Sequence, residues 1–261
     1  MHGEIKYLLD NDIIYREGME SSELTEVLQD CKVLQSLELS LQHELLDHPS
    51  WLSVLRKLSK CPRLRILKLN WVDKARSQDE EEVDEFALAL GSVFESPSLE
   101  SFTFRFPFHF TNKERFAQVL FSPLAASPCI AELRLSHFSF MNNLTLNPLL
   151  EALGRNTSLL RLDLSETIAP QLVNDLRGLV DCLARKNSTI THVLLPRSNA
   201  MGAHNNRRVL RLLTGLNASG FRCHGLPAGK PGIWPAILSS LSDYPCCVHA
   251  IIQGSRQFIG S

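Results

Sequence analysis

The stretch Asn156–Ser165, NTSLLRLDLS, places Leu159, Leu162 and Leu164 in the spacing L-x-x-L-x-L. Neither a plain strand of period two nor a helix of period 3.6 skips two residues and then one. The spacing fits a short strand that the chain enters through a bend, with all three leucines facing one core.

Five other stretches carry an apolar triplet with the same spacing. With the central copy included, the first residues of the triplets lie 30, 35, 31, 29 and 31 positions apart. They are Leu34, Leu64, Leu99, Ile130, Leu159 and Ile190. Self-similarity at such a period indicates a repeat architecture, and it decides the fold class before any local pattern does.

This pattern resembles the leucine-rich-repeat family in its long, ribonuclease-inhibitor-like form, which alternates a strand and a helix. The resemblance covers about Asp30 to Val193. One family mark differs, because the family places Asn or Cys three residues after the last core leucine. This chain has Gln42, Val72, Pro107, Phe138, Thr167 and Ser198 there. Only Gln42, Thr167 and Ser198 can satisfy the turn backbone, so we expect irregular turns at the strand ends.

The expected fold is therefore an α/β leucine-rich-repeat solenoid. Strands pack closer together than helices, so the array should curve, with the parallel sheet on the concave face and the helices on the convex face. We predict an N-terminal capping segment at 1–29, regular repeats at 30–198, and degenerate repeats or a C-terminal cap at 199–261. Ile5 lies 29 positions before Leu34, which makes 5–10 a candidate for a degenerate first strand.

Composition excludes several kinds of activity. The 261 residues carry a net charge of −1, and the pI is near 6.8, which argues against nucleic acid or an anionic membrane as the main partner. No apolar run reaches 18 residues, so we expect no membrane span. The N-terminus does not resemble a secretory signal. We predict a cytoplasmic monomer, or a protein of the host cytosol if the chain is a bacterial effector.

The seven cysteines show no framework spacing, so reduced and mostly buried thiols are expected. Cys31 and Cys61 share one register in adjacent units and should be stacked neighbours. A disulfide between them is the alternative if the protein is exported.

Four Asn-x-Ser/Thr sequons begin at Asn143, Asn156, Asn187 and Asn217. In a secreted protein they would indicate glycans. Three of them sit at the same place, just before a strand. Asn, Ser and Thr bond nearby backbone groups and tolerate tight bends, so we interpret these sequons as turn chemistry.

The run from Asp79 to Glu85 is almost entirely acidic and precedes the apolar segment Phe86 to Phe94. Acidic residues favour a helix N-terminus because they complement the helix dipole. A solvated helix start is the main interpretation. A docking site for a basic partner is the alternative.

Residues between the inward leucines should face out from the sheet. One predicted column of such positions contains Trp71, Phe106 and His137 from three consecutive units, with Lys68, Arg105 and Arg134 close by. Trp and Arg are the residues most enriched at binding hot spots, so we predict that these six form a protein-binding patch. The alternative is that irregular turns fold the aromatic side chains back into the core.

The sequence lacks the usual marks of catalysis. It has no P-loop, no dinucleotide fingerprint, no H-E-x-x-H and no nucleophile elbow. Cys223-His224 and Cys246-Cys247-x-His249 have no Cys-x-x-Cys partner, so we expect no metal and no cofactor. A cysteine hydrolase using Cys223 with His192 is a remaining alternative, but a sheet face offers neither an oxyanion hole nor exclusion of water.

The resemblance implies protein recognition. We therefore predict a non-catalytic scaffold, of adaptor, inhibitor or effector type, that binds another protein through its concave sheet. The alternatives are a repeat-type regulator of a small GTPase and a substrate-receptor subunit of a ubiquitin ligase.

Overall fold

The computed structural model describes the chain in nine stretches, and the statements below concern these residues. They are 4–9, 12–17, 34–41, 49–71, 80–105, 113–138, 143–167, 177–196 and 201–218.

Eight strands form one sheet in the order β2-β1-β3-β4-β5-β6-β7-β8. They are β1 (Glu4–Leu9), β2 (Asp12–Glu17), β3 (Ser36–Leu41), β4 (Ile66–Trp71), β5 (Ser101–Arg105), β6 (Glu132–Ser136), β7 (Arg161–Asp163) and β8 (His192–Leu194). Strands β3 to β8 are all parallel. Strand β1 pairs antiparallel with both β2 and β3. The predicted strand near Ile5 therefore exists, but its antiparallel direction means that it is not a further repeat.

Among the described residues, one helix follows each of the six parallel strands. These helices are α1 (Pro49–Leu58), α2 (Glu80–Ser92), α3 (Lys113–Phe121), α4 (Asn143–Arg155), α5 (Arg177–Arg185) and α6 (Met201–Ala218). Short 3₁₀ turns at Val93–Glu95 and Pro123–Ala126 extend the second and third helical segments. Each helix packs against the next one along the chain. The architecture is thus α/β, with a six-stranded parallel sheet and one helix after each of its strands.

The apolar triplets form the core, as their spacing predicts. The five triplets that begin between Leu34 and Leu159 are at most 2% exposed at every position. In the last triplet Ile190 is fully buried, whereas Val193 and Leu195 are only partly buried. The triplets pack with the inward sides of the helices in one cluster, which is the main source of folding free energy in a domain of this kind.

Aromatic rings fill the middle of this core. The Phe102 ring meets Phe94 edge-on at 5.2 Å and stacks on Phe104 at 5.9 Å between centroids. Phe138 lies 5.6 Å from Phe121 and is only 4% exposed. Phe138 occupies one of the turn positions after a core leucine, so at this turn the side chain of the turn residue fills the core. At the next such position, the Thr167 hydroxyl donates to the Leu164 carbonyl at 2.8 Å.

The start of β7 shows what the central sequon does. The Asn156 side-chain Nδ2 donates to the Leu124 carbonyl at 2.8 Å, and Oδ1 accepts the backbone N–H of Leu159 at 2.7 Å and of Ser158 at 3.0 Å. The Ser158 hydroxyl donates to the Ser127 and Ile130 carbonyls of the preceding unit. The sequon thus makes the bend before the strand and ties two units together.

Asn187 repeats these contacts one unit later, donating to the Leu153 and Asn156 carbonyls at 2.7 and 3.0 Å. Asn217 donates to the Ile190 carbonyl at 2.7 Å. The three asparagines Asn156, Asn187 and Asn217 are at most 6% exposed. The interpretation as turn chemistry is confirmed for the first two. The side chain of Asn143 lies outside the described residues.

Helix α2 begins at Glu80, inside the acidic run, so the position of the predicted helix start is confirmed, whereas the side chains of Glu80, Glu81 and Glu82 lie outside the described residues. Asp84 of this helix forms an ion pair with Arg115 of α3 at 2.5 Å. Buried Cys61 lies next to the Lys57 carbonyl at 3.5 Å, while Cys31 lies outside the described residues, so the predicted stacking of the two remains a prediction. No described helix is both long and apolar enough to span a membrane.

Candidate protein-binding face

The parallel sheet has one covered face and one face that no described helix or strand covers. Along β5, Phe102 and Phe104 are fully buried, whereas Ser101 and Thr103 are partly exposed and Arg105 is exposed. Wholly parallel sheets occur almost only where both faces are covered, so an uncovered one is unusual. We call the uncovered side of β3 to β8 the bare face.

The strand register places the outward residues in columns across the bare face. The first column reads Ser36, Ile66, Ser101, Glu132, Arg161 and His192. The second reads Glu38, Lys68, Thr103, Arg134, Asp163 and Leu194. Adjacent members of a column are about 5 Å apart, which lets opposite charges interact across strands.

Not all six residues of the predicted patch can be placed. Lys68, Arg105 and Arg134 lie on three consecutive strands, β4 to β6. Trp71 ends β4 and pairs with Leu41 in the register, but its side chain lies outside the described residues. Phe106 also lies outside them. The predicted aromatic column is therefore untested.

Lys68 leans toward β3. Its Nζ lies 3.5 Å from Glu38 Oε2, and Asn70 of the same strand donates from Nδ2 to Glu38 Oε1 at 3.1 Å. A pair of this kind at the surface contributes at most about 1 kcal/mol to stability. Its greater consequence is geometric, because Glu38 draws the side chains of Lys68 and Asn70 toward β3 and away from β5.

Arg134 leans the other way, toward β7 and beyond. Its guanidinium lies 2.6 Å from Glu166 Oε1 and 3.7 Å from Asp163 Oδ2. Asp163 is only 5% exposed, and its Oδ1 accepts bonds from the Ser165 N–H and hydroxyl at 2.9 and 2.6 Å. Arg134 is therefore held by two carboxylates, one of which is fixed by its own turn.

Glu166 is stabilised in its charged form. A hydrogen bond from the Ser136 side chain, followed by the charge of Arg134, holds the pKa of Glu166 below its ordinary value, although partial burial opposes this. His137 stands beside it, half-buried, with φ of 57°, and its backbone N–H donates to the Glu166 carbonyl at 2.8 Å. Such a φ is uncommon for a residue with a side chain, and it marks the tight turn that ends β6.

Two further ion pairs complete the charge pattern. Arg161 on β7 lies 3.3 Å from Glu132 on β6. At the start of β4 and β5, Arg65 binds both oxygens of Glu100 at 2.8 Å. This hydrogen-bonded pair raises the pKa of Arg65 and lowers the pKa of Glu100. Both side chains are exposed, so the pair fixes geometry at the surface more than it adds to stability.

Arg105 differs from these cations. It is exposed, its neighbours in the register are the uncharged Asn70 and Ser136, and it forms no ion pair with any residue that the structure describes. Sequence reasoning placed it in the patch but missed that Lys68 and Arg134 are neutralised by Glu38, Asp163 and Glu166. The signal was present, because Glu38 and Lys68, and likewise Arg134 and Asp163, occupy one column in adjacent units.

The described residues contain no group of three or more His, Cys, Asp and Glu side chains that could hold a metal ion. Cys223, His224, Cys246, Cys247 and His249 lie outside them, so the weak metal and nucleophile alternatives are not tested.

Comparison with known proteins gives a fold-level likeness. No family model and no curated protein matches this sequence. The structure is similar to the C-terminal domain of tropomodulin from Caenorhabditis elegans, with 12% identity and a TM-score of 0.41, covering 79% of this chain and 98% of that one. It is also similar to actin-binding site 2 of leiomodin-1, with 16% identity and a TM-score of 0.45, covering 65% and 90% of the two chains.

The predicted family is wrong. The two solved structures named above are a tropomodulin and a leiomodin domain, and neither supports a ribonuclease-inhibitor-like repeat protein. The local chemistry differs as well. At the two described turn positions, Phe138 fills the core and Thr167 bonds Leu164, while the conspicuous asparagines, Asn156 and Asn187, precede their strands.

Proposed function

We propose that this chain is a non-catalytic scaffold that recognises another protein through the bare face. The observation that carries the proposal is the absence of any described helix or strand over one side of a six-stranded parallel sheet. These strands are buried on one side, and their outward side chains project from the other side in a fixed and regular array. Such an array is rigid before binding, which reduces the entropy lost when a partner docks.

The composition of the bare face supports a protein partner. Ile66 and Leu194 are 39% and 42% exposed there, among side chains of both charges. Mixed apolar and balanced charged surface is typical of protein interfaces, whereas a nucleic-acid face is strongly basic. The predicted patch of Trp71, Phe106, His137, Lys68, Arg105 and Arg134 remains part of this proposal.

The proposal also includes a solenoid in which the sheet lies on the concave side. Its support is that each parallel strand pairs with the next in sequence and each helix packs on the next, so contacts run between neighbouring units. A cytoplasmic location and a monomeric state complete the proposal, on the grounds of composition given above.

The test compares two tryptophan substitutions at exposed positions. Thr103→Trp adds bulk at the centre of the bare face, at a strand position where aromatic residues are well tolerated. Leu88→Trp adds the same bulk on α2, where Leu88 is 58% exposed. The full-length wild type and both variants are used as baits in a eukaryotic lysate, after circular dichroism has shown equal folding.

We expect a protein that the wild type and Leu88→Trp capture equally and that Thr103→Trp loses. A captured protein that Leu88→Trp loses and Thr103→Trp keeps would move the interface to the helical side. That result would reject the bare face as the recognition surface.

A further inference from the structure

Strand β5 carries short side chains at two of its outward positions, and we call the strip of the bare face above it, from Ser101 to Arg105, the lane. The outward residues of β5 before Arg105 are the short Ser101 and Thr103, whereas the strands on either side carry longer side chains, such as Lys68 on β4 and Arg134 on β6. Neighbouring strands lie about 4.8 Å apart, so β4 and β6 are about 10 Å apart, which is about the space that an extended chain and its side chains occupy between two stacked sheets.

The ion pairs keep this lane open. Lys68 and Asn70 reach from β4 to Glu38 on β3, away from β5. Arg134 reaches from β6 to Asp163 and Glu166, also away from β5. Lys68 and Arg134 are thus drawn outward by partners on the far strands, whereas Glu132 of β6 reaches toward Ser101 at the start of β5.

The two ends of the lane are different. Near the start of β5, the Arg65–Glu100 pair bridges β4 and β5, and Ser101 donates to Glu132 at 3.5 Å. At the other end, Arg105 extends β5 between the uncharged Asn70 and Ser136. The amide of Asn70 is already donated to Glu38, and Ser136 is buried beside Glu166. The end of the lane near Ser101 is therefore closed by paired charges, whereas the end at Arg105 is open and presents one guanidinium.

We infer that the lane over β5 takes an extended acidic segment of the partner protein, with an Asp or Glu side chain bound to Arg105. A guanidinium binds a carboxylate through two parallel N–H···O bonds, and every other cation discussed on this face already has its carboxylate. The inference rests on the proposed function, and it adds the chemistry of the partner.

The probe is a displayed library of random linear peptides, selected on the immobilised full-length chain. Clones are kept if they bind the wild type and fail to bind Thr103→Trp, which blocks the lane. We expect these clones to share an Asp or Glu at one fixed position. Selection on Arg105→Glu should yield lane-dependent peptides with Lys or Arg at that position.

Affinities of a selected peptide then test the residue itself. Arg105→Ala should weaken binding by about 30-fold, the loss typical of a hot-spot arginine. Arg105→Lys should recover only part of it, because lysine keeps the charge but not the planar fork. Arg155→Ala is the matched control, because Arg155 is also an exposed arginine but lies at the end of helix α4 and not on the bare face, and it should change the affinity less than about twofold.

Two negative results would overturn this inference and leave the proposed function standing. One is a set of lane-dependent peptides without a shared acidic residue, or with unchanged affinity for Arg105→Ala. The other is equal recovery of every peptide by the wild type and Thr103→Trp. Failure of the proposed function is a separate result, namely capture of a protein that Thr103→Trp keeps and Leu88→Trp loses.

Discussion

The two faces of β5 differ as much as a core and a surface, although their residues alternate along five positions. Phe102 and Phe104 on the covered face are fully buried in the aromatic centre of the core. Ser101, Thr103 and Arg105 on the bare face are in contact with solvent or with cross-strand polar partners. In this strand, the inward residues contribute to stability and the outward residues are available for recognition. A substitution on one face therefore need not affect the other.

The difference between the two faces is tested most directly by substituting two residues that are neighbours in the sequence. Phe102→Ala should lower the free energy of unfolding by about 3–5 kcal/mol, because it leaves a cavity between Phe94 and Phe104. Thr103→Ala should change it by less than about 0.5 kcal/mol. Chemical denaturation of the two variants measures both values. Equal losses would mean that Thr103 is packed and that the bare face is covered.

The next largest expected effect concerns the bend before β7, which determines which residues of that strand face the core. Asn156→Ala removes the side chain that joins the Leu124 carbonyl to the N–H groups of Ser158 and Leu159. These groups then lack a partner in a buried place, so we expect a loss of about 2–4 kcal/mol by denaturant unfolding.

The adjacent Thr157→Ala is the control, since Thr157 is exposed and a change there should stay within about 0.5 kcal/mol. A loss at Asn156 no larger than the loss at Thr157 would show that the backbone bend forms without the asparagine.

Much of the fold was readable from the triplets alone. The spacing from Leu159 to Leu164 reflects only which side chains face the core, and burial of such apolar side chains dominates folding. The strands and their parallel order could therefore be predicted. The turn chemistry of Asn156 and Asn187 before their strands was also readable, because short polar side chains have few ways to satisfy a bend.

The rest depended on long-range contacts that a sequence does not show. The direction of β1 could not be inferred from Ile5, because the same apolar residues suit a parallel or an antiparallel neighbour. The binding patch was drawn from residue types, but ion pairing between strands determines which cations stay available. Lys68 and Arg134 are engaged by carboxylates 30 or so positions away in sequence, and only the register reveals this. The family assignment failed for a similar reason, because a repeat period does not specify the turns.

The central claim is that the bare face is open in the free protein and covered in the complex. Hydroxyl-radical footprinting of the full-length chain tests it at residue level, using exposed aliphatic side chains on both sides of the molecule. Ile66 and Leu194 report on the bare face, and Leu88 and Leu144 report on the helices.

We predict that Ile66 in the free chain is oxidised much faster than its buried neighbour Leu67. Addition of the partner that the wild type captures should slow oxidation of Ile66 and Leu194 and leave Leu88 and Leu144 unchanged. Oxidation of Ile66 as slow as that of Leu67 in the free chain, or protection confined to Leu88 and Leu144, would contradict the account.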